Sequence, residues 1–164
     1  MTPLMALSSA SHTNWVGQHS ARSQGAQPSC MQGTGARHPS VSRRVIGKSL
    51  CGRSIDLLQL GAGDDPVLLC GAFHGMEWLT SLLLLRFTSQ MAAALETGRL
   101  ISDIKAGDFL RRHGVTVIPC VNPDGVEISL HGSAAAGEYR DLVHNVSCGD
   151  TFRWQASARG VDLN

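Results

Sequence analysis

Val67-Leu68-Leu69-Cys70-Gly71-Ala72-Phe73-His74-Gly75-Met76-Glu77-Trp78 is the stretch that decides the fold. Its first seven residues form an apolar run without alternation, the pattern of a short buried strand. From Trp78 to Thr97 the chain reads as a helix, and Gly98 is a good residue to end one. His74-Gly75-Met76-Glu77 therefore falls where a strand gives way to a helix. A neutral imidazole and a carboxylate three positions apart at such a junction can converge on one zinc ion. Glu77 also suits a helix N-terminus without any metal, since the macrodipole favours an anion there.

Upstream, Val45-Ile46-Gly47-Lys48-Ser49-Leu50 and Ser54-Ile55-Asp56-Leu57-Leu58-Gln59-Leu60 flank a turn at Cys51-Gly52-Arg53 and predict a hairpin of two strands. Residues 61–66 form a polar turn. Downstream, residues 99–112 read as helical in part, with Ile101, Ile104 and Leu110 facing inward. Val115-Thr116-Val117-Ile118-Pro119-Cys120-Val121 is a second β-rich run, closed by the turn residues Asn122-Pro123-Asp124-Gly125. Residues 132–151, with Gly, Ala and Ser prominent, read as loop. Strand–helix–strand with non-alternating apolar strands predicts an α/β fold, a mixed sheet flanked by helices.

Residues 1–42 are rich in Ser, Gly, Gln, Ala and His and have neither period. Such a segment buries too little apolar surface to offset its ordering entropy, so it is expected to be disordered, with the folded unit spanning 43–164.

The 164 residues fit one domain with a real core. A formal charge of +1 gives no electrostatic reason to expect nucleic acid or an acidic membrane surface. Five cysteines (Cys30, Cys51, Cys70, Cys120, Cys148) make no CxxC pair, and the odd count argues against a disulfide scaffold. The most apolar stretch, Leu79 to Leu95, is interrupted by Thr80, Ser81, Arg86, Thr88, Ser89 and Gln90, too polar for a lipid-facing span. Met1 to Leu7 has no basic residue and only a short apolar run, so no signal peptide is recognised and the compartment stays open.

Three segments together resemble the zinc carboxypeptidase (funnelin) family of metallopeptidases: residues 71–78, Val121-Asn122-Pro123-Asp124-Gly125-Val126, and Trp154-Gln155-Ala156-Ser157-Ala158-Arg159-Gly160-Val161-Asp162-Leu163-Asn164. The resemblance covers residues 43–164. The third segment is most similar to the bacterial branch of γ-D-glutamyl-diaminopimelate peptidases and murein peptide amidases. It implies Zn2+ as cofactor and a peptide or peptidoglycan stem peptide as substrate. His74 and Glu77 would be the first two zinc ligands. Asp162 would accept a hydrogen bond from the other ring nitrogen of His74, which fixes the tautomer and raises ligand basicity. Asn164 would hold the substrate carboxylate. Gln155 departs from the family, which usually has a basic residue directly after this tryptophan to stabilise the oxyanion. Arg159 or Arg153 is then a candidate for that charge, and Asn122 to Gly125 is expected to shape the rim.

The resemblance also implies a third histidine ligand and a glutamate general base, both past Asn164. His113, His131 and His144 lack the family's third-ligand context, and the spacing of Glu127 and Glu138 does not mark a base. The chain is thus expected to be the N-terminal half of a metallopeptidase domain, inactive alone. Two other readings stay open: a zinc deacylase of the aspartoacylase and succinylglutamate desuccinylase type, and a non-catalytic fragment that binds peptide or a partner.

Overall fold

The computed structural model describes residues 37–163. Strands β1 (Ser42–Lys48) and β2 (Ser54–Leu60) form the expected antiparallel hairpin, in register from Ser42 opposite Gln59 to Lys48 opposite Ser54, with a bulge between Val45 and Gly47. Ser49 and Leu50, expected in the first strand, belong instead to the turn, which closes through Ser49 N to Arg53 O at 2.8 Å. Strand β3 (Val67–Cys70) leads into helix α1 (Trp78–Thr97), which stops at Gly98 with a left-handed φ of 68°. After α1 come the two short strands β4 (Leu100–Ile101) and β5 (Ile104–Lys105), helix α2 (Ala106–Arg112) and strand β6 (Val115–Ile118). Helices α3 (Pro123–His131) and α4 (Arg140–Ser147) follow, separated by a 3-10 segment (Ser133–Tyr139).

The main sheet runs β1-β2-β6-β3, with β3 parallel to β6 and the other pairs antiparallel. This is a mixed α/β sheet. Its core forms where Leu58 and Leu60 of β2 and Val115 and Val117 of β6 meet Leu85, Met91 and Ala92 of α1 and Leu110 of α2. Each large side chain fully removed from water there contributes roughly 1.5–3 kcal/mol. A second cluster joins Ile128, Ala136, Val143, Trp154 and Ala158. No helix is long and apolar enough to cross a membrane among the described residues.

Several expectations need correction. The run 67–73 is strand only as far as Cys70, and Val67 and Leu68 are 37% and 60% exposed. Among the described residues β3 is the sheet's edge, so an apolar run that signals burial on both faces is here partly open. Residues 99–112 are helical in part, as expected, but only from Ala106 onward. Ser102 and Asp103 take left-handed φ values of 46° and 66°, which folds 100–105 into a tight hairpin before α2 starts. Ile104 is accordingly 53% exposed, whereas Leu110 is buried as expected.

The second β run ends at Ile118, not Val121, and the tetrad 122–125 opens a helix rather than a simple turn. Asn122 caps α3 by accepting from Gly125 N at 2.9 Å, and Pro123 occupies the first turn, where its missing N–H costs nothing. Residues 132–151 carry the 3-10 segment and α4 in place of a loop. Ala136 and Val143 are fully buried there, and burial against Ile128 and Trp154 outweighs the glycines at 132 and 137 that punctuate the stretch.

Order begins ahead of residue 43. Val41 is 6% exposed, and His38 and Ser40 are hydrogen-bonded to Glu96 of α1. Residues 1–36 of the segment expected to be disordered, and Asn164 with its expected role, lie outside the described residues. Of the described cysteines, Cys51, Cys70, Cys120 and Cys148 are free thiols, and burial pushes Cys120 up to about 11.

Candidate metal centre

The end of β3 is built by backbone pairing with the segment after β6. Gly71 N donates to Ile118 O at 3.0 Å, Val121 N to Gly71 O at 2.9 Å, and Asn122 N to Ala72 O at 2.9 Å. Ala72 has a positive φ of 50°, uncommon for a residue with a Cβ, and is 1% exposed. Thr80 stabilises this bend from α1: its hydroxyl accepts from Ala72 N at 2.8 Å and donates to Glu77 O at 2.8 Å. The bend carries His74 out of the sheet at the C-terminal end of β3.

Gly75 is required by packing. A Cβ there would collide with the Gly125 carbonyl and lie 2.7 Å from the Trp154 carbonyl. Gly75 N and Met76 N donate to Gln155 O and Trp154 O at 3.1 and 3.0 Å, so the loop before α1 is sewn to the loop that leads to Asp162. Gly75→Ala is expected to cost about 1–3 kcal/mol, because backbone on both sides must move. A urea midpoint unchanged from wild type would refute this.

His74 Nδ1 lies 3.0 Å from Glu77 Oε1, and His74 Nε2 lies 3.3 Å from Asp162 Oδ1. The imidazole is 18% exposed, Glu77 47% and Asp162 60%. The hydrogen bond to Glu77 holds the His74 imidazole above its ordinary value, with the charges of Glu77 and Asp162 adding to it against desolvation. If Nε2–H donates to Asp162, then Nδ1 and Glu77 Oε1 face each other as two acceptors. Such a pair needs a proton or a cation between its members. Zinc–nitrogen and zinc–oxygen bonds of about 2.0–2.2 Å are compatible with two donors this close together. The pair therefore fits part of a zinc site. No group of three His, Cys, Asp or Glu is placed to hold a metal among the described residues.

The other candidates lie elsewhere. Arg159 donates to the Tyr139 hydroxyl from Nε at 3.3 Å and Nη2 at 3.2 Å, with its guanidinium 5.5 Å from the ring centroid. It lines an open cleft of about 360 Å³ with Lys48, Ser49, Asn122, Ser157 and Val161, and its hydrogen bonds go to Tyr139. Arg153 is exposed, and Gln155 reaches Met76 Sδ at 3.5 Å from Nε2. His113 is paired with Asp65 at 3.2 Å and His131 with Glu127 at 3.7 Å, while His144 sits in the last turn of α4.

Two residues read only as turn formers organise the site's support. Asn122, 3% exposed, donates from Nδ2 to Phe73 O at 2.9 Å, Ala156 O at 3.1 Å and Gln155 O at 3.2 Å. Asp124, 2% exposed, accepts from Ser49 Oγ and Arg53 Nη1, each at 2.7 Å, and from Cys51 N at 3.0 Å. Asn-Pro ahead of a helical stretch is a legible cap signal. The distant partners are not legible.

The zinc carboxypeptidase family profile matches residues 28–164. The chain is 32% identical over 130 residues to the uncharacterised protein YqgT of Bacillus subtilis (strain 168), covering 77% of this chain and 35% of that protein. It is 26% identical over 129 residues to gamma-D-glutamyl-L-diamino acid endopeptidase 1 of Lysinibacillus sphaericus, covering 77% of this chain and 33% of the relative. Among solved structures, a metallo-carboxypeptidase from Burkholderia cenocepacia shares the fold with a TM-score of 0.58 at 20% identity, over 87% of this chain and 32% of its own. The chain spans about a third of the length of the curated relatives it matches.

Proposed function

The chain belongs to the zinc carboxypeptidase family, and from that membership we propose that it forms part of a zinc-dependent peptidase acting on peptidoglycan stem peptides. His74 carries this reading, because its two ring nitrogens meet two different carboxylates, Glu77 at 3.0 Å and Asp162 at 3.3 Å. His74 Nδ1 and the Glu77 carboxylate would hold the metal. Asp162 would keep the proton on Nε2, leaving the Nδ1 lone pair free to bind. Zinc, when bound, polarises a scissile carbonyl and acidifies a water. Gln155, next to Met76 on the rim, can offer an amide N–H to a substrate oxygen but no positive charge. The stem-peptide substrate class rests on the likeness to the Lysinibacillus endopeptidase.

The test is hydrolysis of a γ-D-glutamyl-diaminopimelyl peptide by the protein expressed from its own gene, followed by mass spectrometry. Cleavage is expected to need zinc and to be lost in His74→Ala and in Glu77→Ala. Release of acyl groups from N-acyl amino acids, with no cleavage of peptides, would overturn the peptidase reading in favour of a deacylase. A separate expectation concerns the metal. A catalytic zinc usually takes about three protein ligands, and the described residues supply two. Residues 1–164 dialysed against a weak chelator should keep well below one zinc per chain. Stoichiometric zinc by elemental analysis would reveal a further donor.

A further inference from the structure

A second arrangement of chemically active side chains lies on the C-terminal half of α1. Ser89 and Glu96 are seven residues apart on this helix, two turns on one face. His38, from the start of the described chain, spans them: its Nε2 is 2.8 Å from Ser89 Oγ and its Nδ1 is 3.0 Å from Glu96 Oε2. The other carboxylate oxygen is held in turn. Ser40 donates to Glu96 Oε1 from Oγ at 2.7 Å and from its backbone N at 3.3 Å. The imidazole is 14% exposed and Glu96 28%, and Ser89 is half-buried.

We propose that Ser89 is an activated nucleophile, a site of covalent modification by electrophilic acyl or phosphoryl groups, with His38 as its base and Glu96 as a positioning residue. With His38 neutral and Nδ1–H donated to Glu96, the Nε2 lone pair faces the Ser89 hydroxyl, the tautomer that proton abstraction requires. The hydrogen bond from His38, followed by those from Ser40, holds the Glu96 carboxyl below its ordinary value. Glu96 thus stays ionised and keeps the ring in place.

With a fluorophosphonate, Ser89 Oγ attacks phosphorus, the P–F bond breaks and fluoride leaves. The hydroxyl proton passes to His38 Nε2 and on to water. Ser89 sits inside α1, whose N–H groups are taken up by the helix ladder, so the helix itself offers a developing oxyanion no backbone donor. A stable adduct is the expected product, not turnover. The same hydrogen bonds tie residues 38–41 to α1, and reactivity separates the chemical role from the structural one.

The test is labelling of the full chain with a fluorophosphonate probe, with mass spectrometry to locate the adduct. Ser89 should carry the label, Ser89→Ala should lose it, and His38→Gln should slow it on the order of a hundredfold. Because His38→Gln can loosen the segment it anchors, Ser89→Cys supplies a second measure. Its thiol should react with iodoacetamide faster than the exposed Cys148 of the same chain. Absence of label on Ser89, a rate unchanged in a folded His38→Gln, or a Cys at 89 no faster than Cys148 would each overturn the proposal.

Discussion

Replacing Asn122 with aspartate should come close to unfolding the protein. The exchange keeps shape and the oxygen that caps α3, but removes the amide that serves Phe73, Gln155 and Ala156 carbonyls. The part-buried carbonyls of Phe73 and Ala156 lose this donor, Gln155 O keeps only Gly75 N, and a carboxylate takes the amide's place facing them. Each lost hydrogen bond is worth about 1 kcal/mol and the unpaired groups cost more, so a loss of about 3–5 kcal/mol is expected. Domains of this size have roughly 5–15 kcal/mol in total.

The pH dependence of Asn122→Asp carries a sign of its own. A new carboxyl buried against carbonyls has a folded pKa above its unfolded value, so the folded state binds the extra proton. Stability should be greatest below the ordinary carboxylate pKa of about 4 and should fall as pH rises above it. Urea midpoints for Asn122→Asp and wild type between acid and neutral pH would measure this. Parallel profiles would sink the account.

Asp124→Ala is expected to have the second large effect. Burial alone would push the Asp124 carboxyl up, but donation from Ser49, the Cys51 N–H and Arg53 holds it below its ordinary value. Removing it strands the Arg53 guanidinium, which also donates to Ala135 O at 2.8 Å, and frees the β1–β2 turn from α3. Breaking a buried pair from one side costs about 3–5 kcal/mol. Arg53 is 23% exposed, so the lower part of that range applies.

Because the folded value is depressed, the Asp124 contribution is fully present above the ordinary carboxylate range and is lost as pH falls through the lower folded value. Asp124→Asn should therefore flatten the acid limb of the stability curve while lowering its plateau. An acid limb identical to wild type would show that Asp124 does not set it. Arg53→Met combined with Asp124→Ala should lose less than the sum of the single changes, since neither charge is then left alone.

The legible parts of this fold were those governed by neighbours in sequence. The hairpin around Gly52, the helix from Trp78 to Gly98 and the β run at 115–118 follow from period and punctuation within a few residues. The helices after Asn122 are not legible locally, because Asn122-Pro123-Asp124-Gly125, Gly132 and Gly137 read as turn signals, while burial of Ala136 and Val143 against Ile128 and Trp154 decides the outcome. The exposure of Leu68 was missed for the opposite reason: an apolar run specifies a strand but not whether a neighbour lies beside it.

His74 and Glu77 show the same division. Spacing at a strand-to-helix junction determined that an imidazole and a carboxylate belong together, since three residues and one sharp turn leave them little freedom to part. Only the tertiary structure decided what surrounds them. It placed Asp162 3.3 Å from Nε2, turned Arg159 towards Tyr139, and made Asn122 and Gly75 the points where the two loops are sewn together. Those contacts join residues between 20 and 88 positions apart (Arg159 with Tyr139, 159 − 139 = 20, and His74 with Asp162, 162 − 74 = 88). At such separations no local preference acts, and only the packed chain brings the partners within reach.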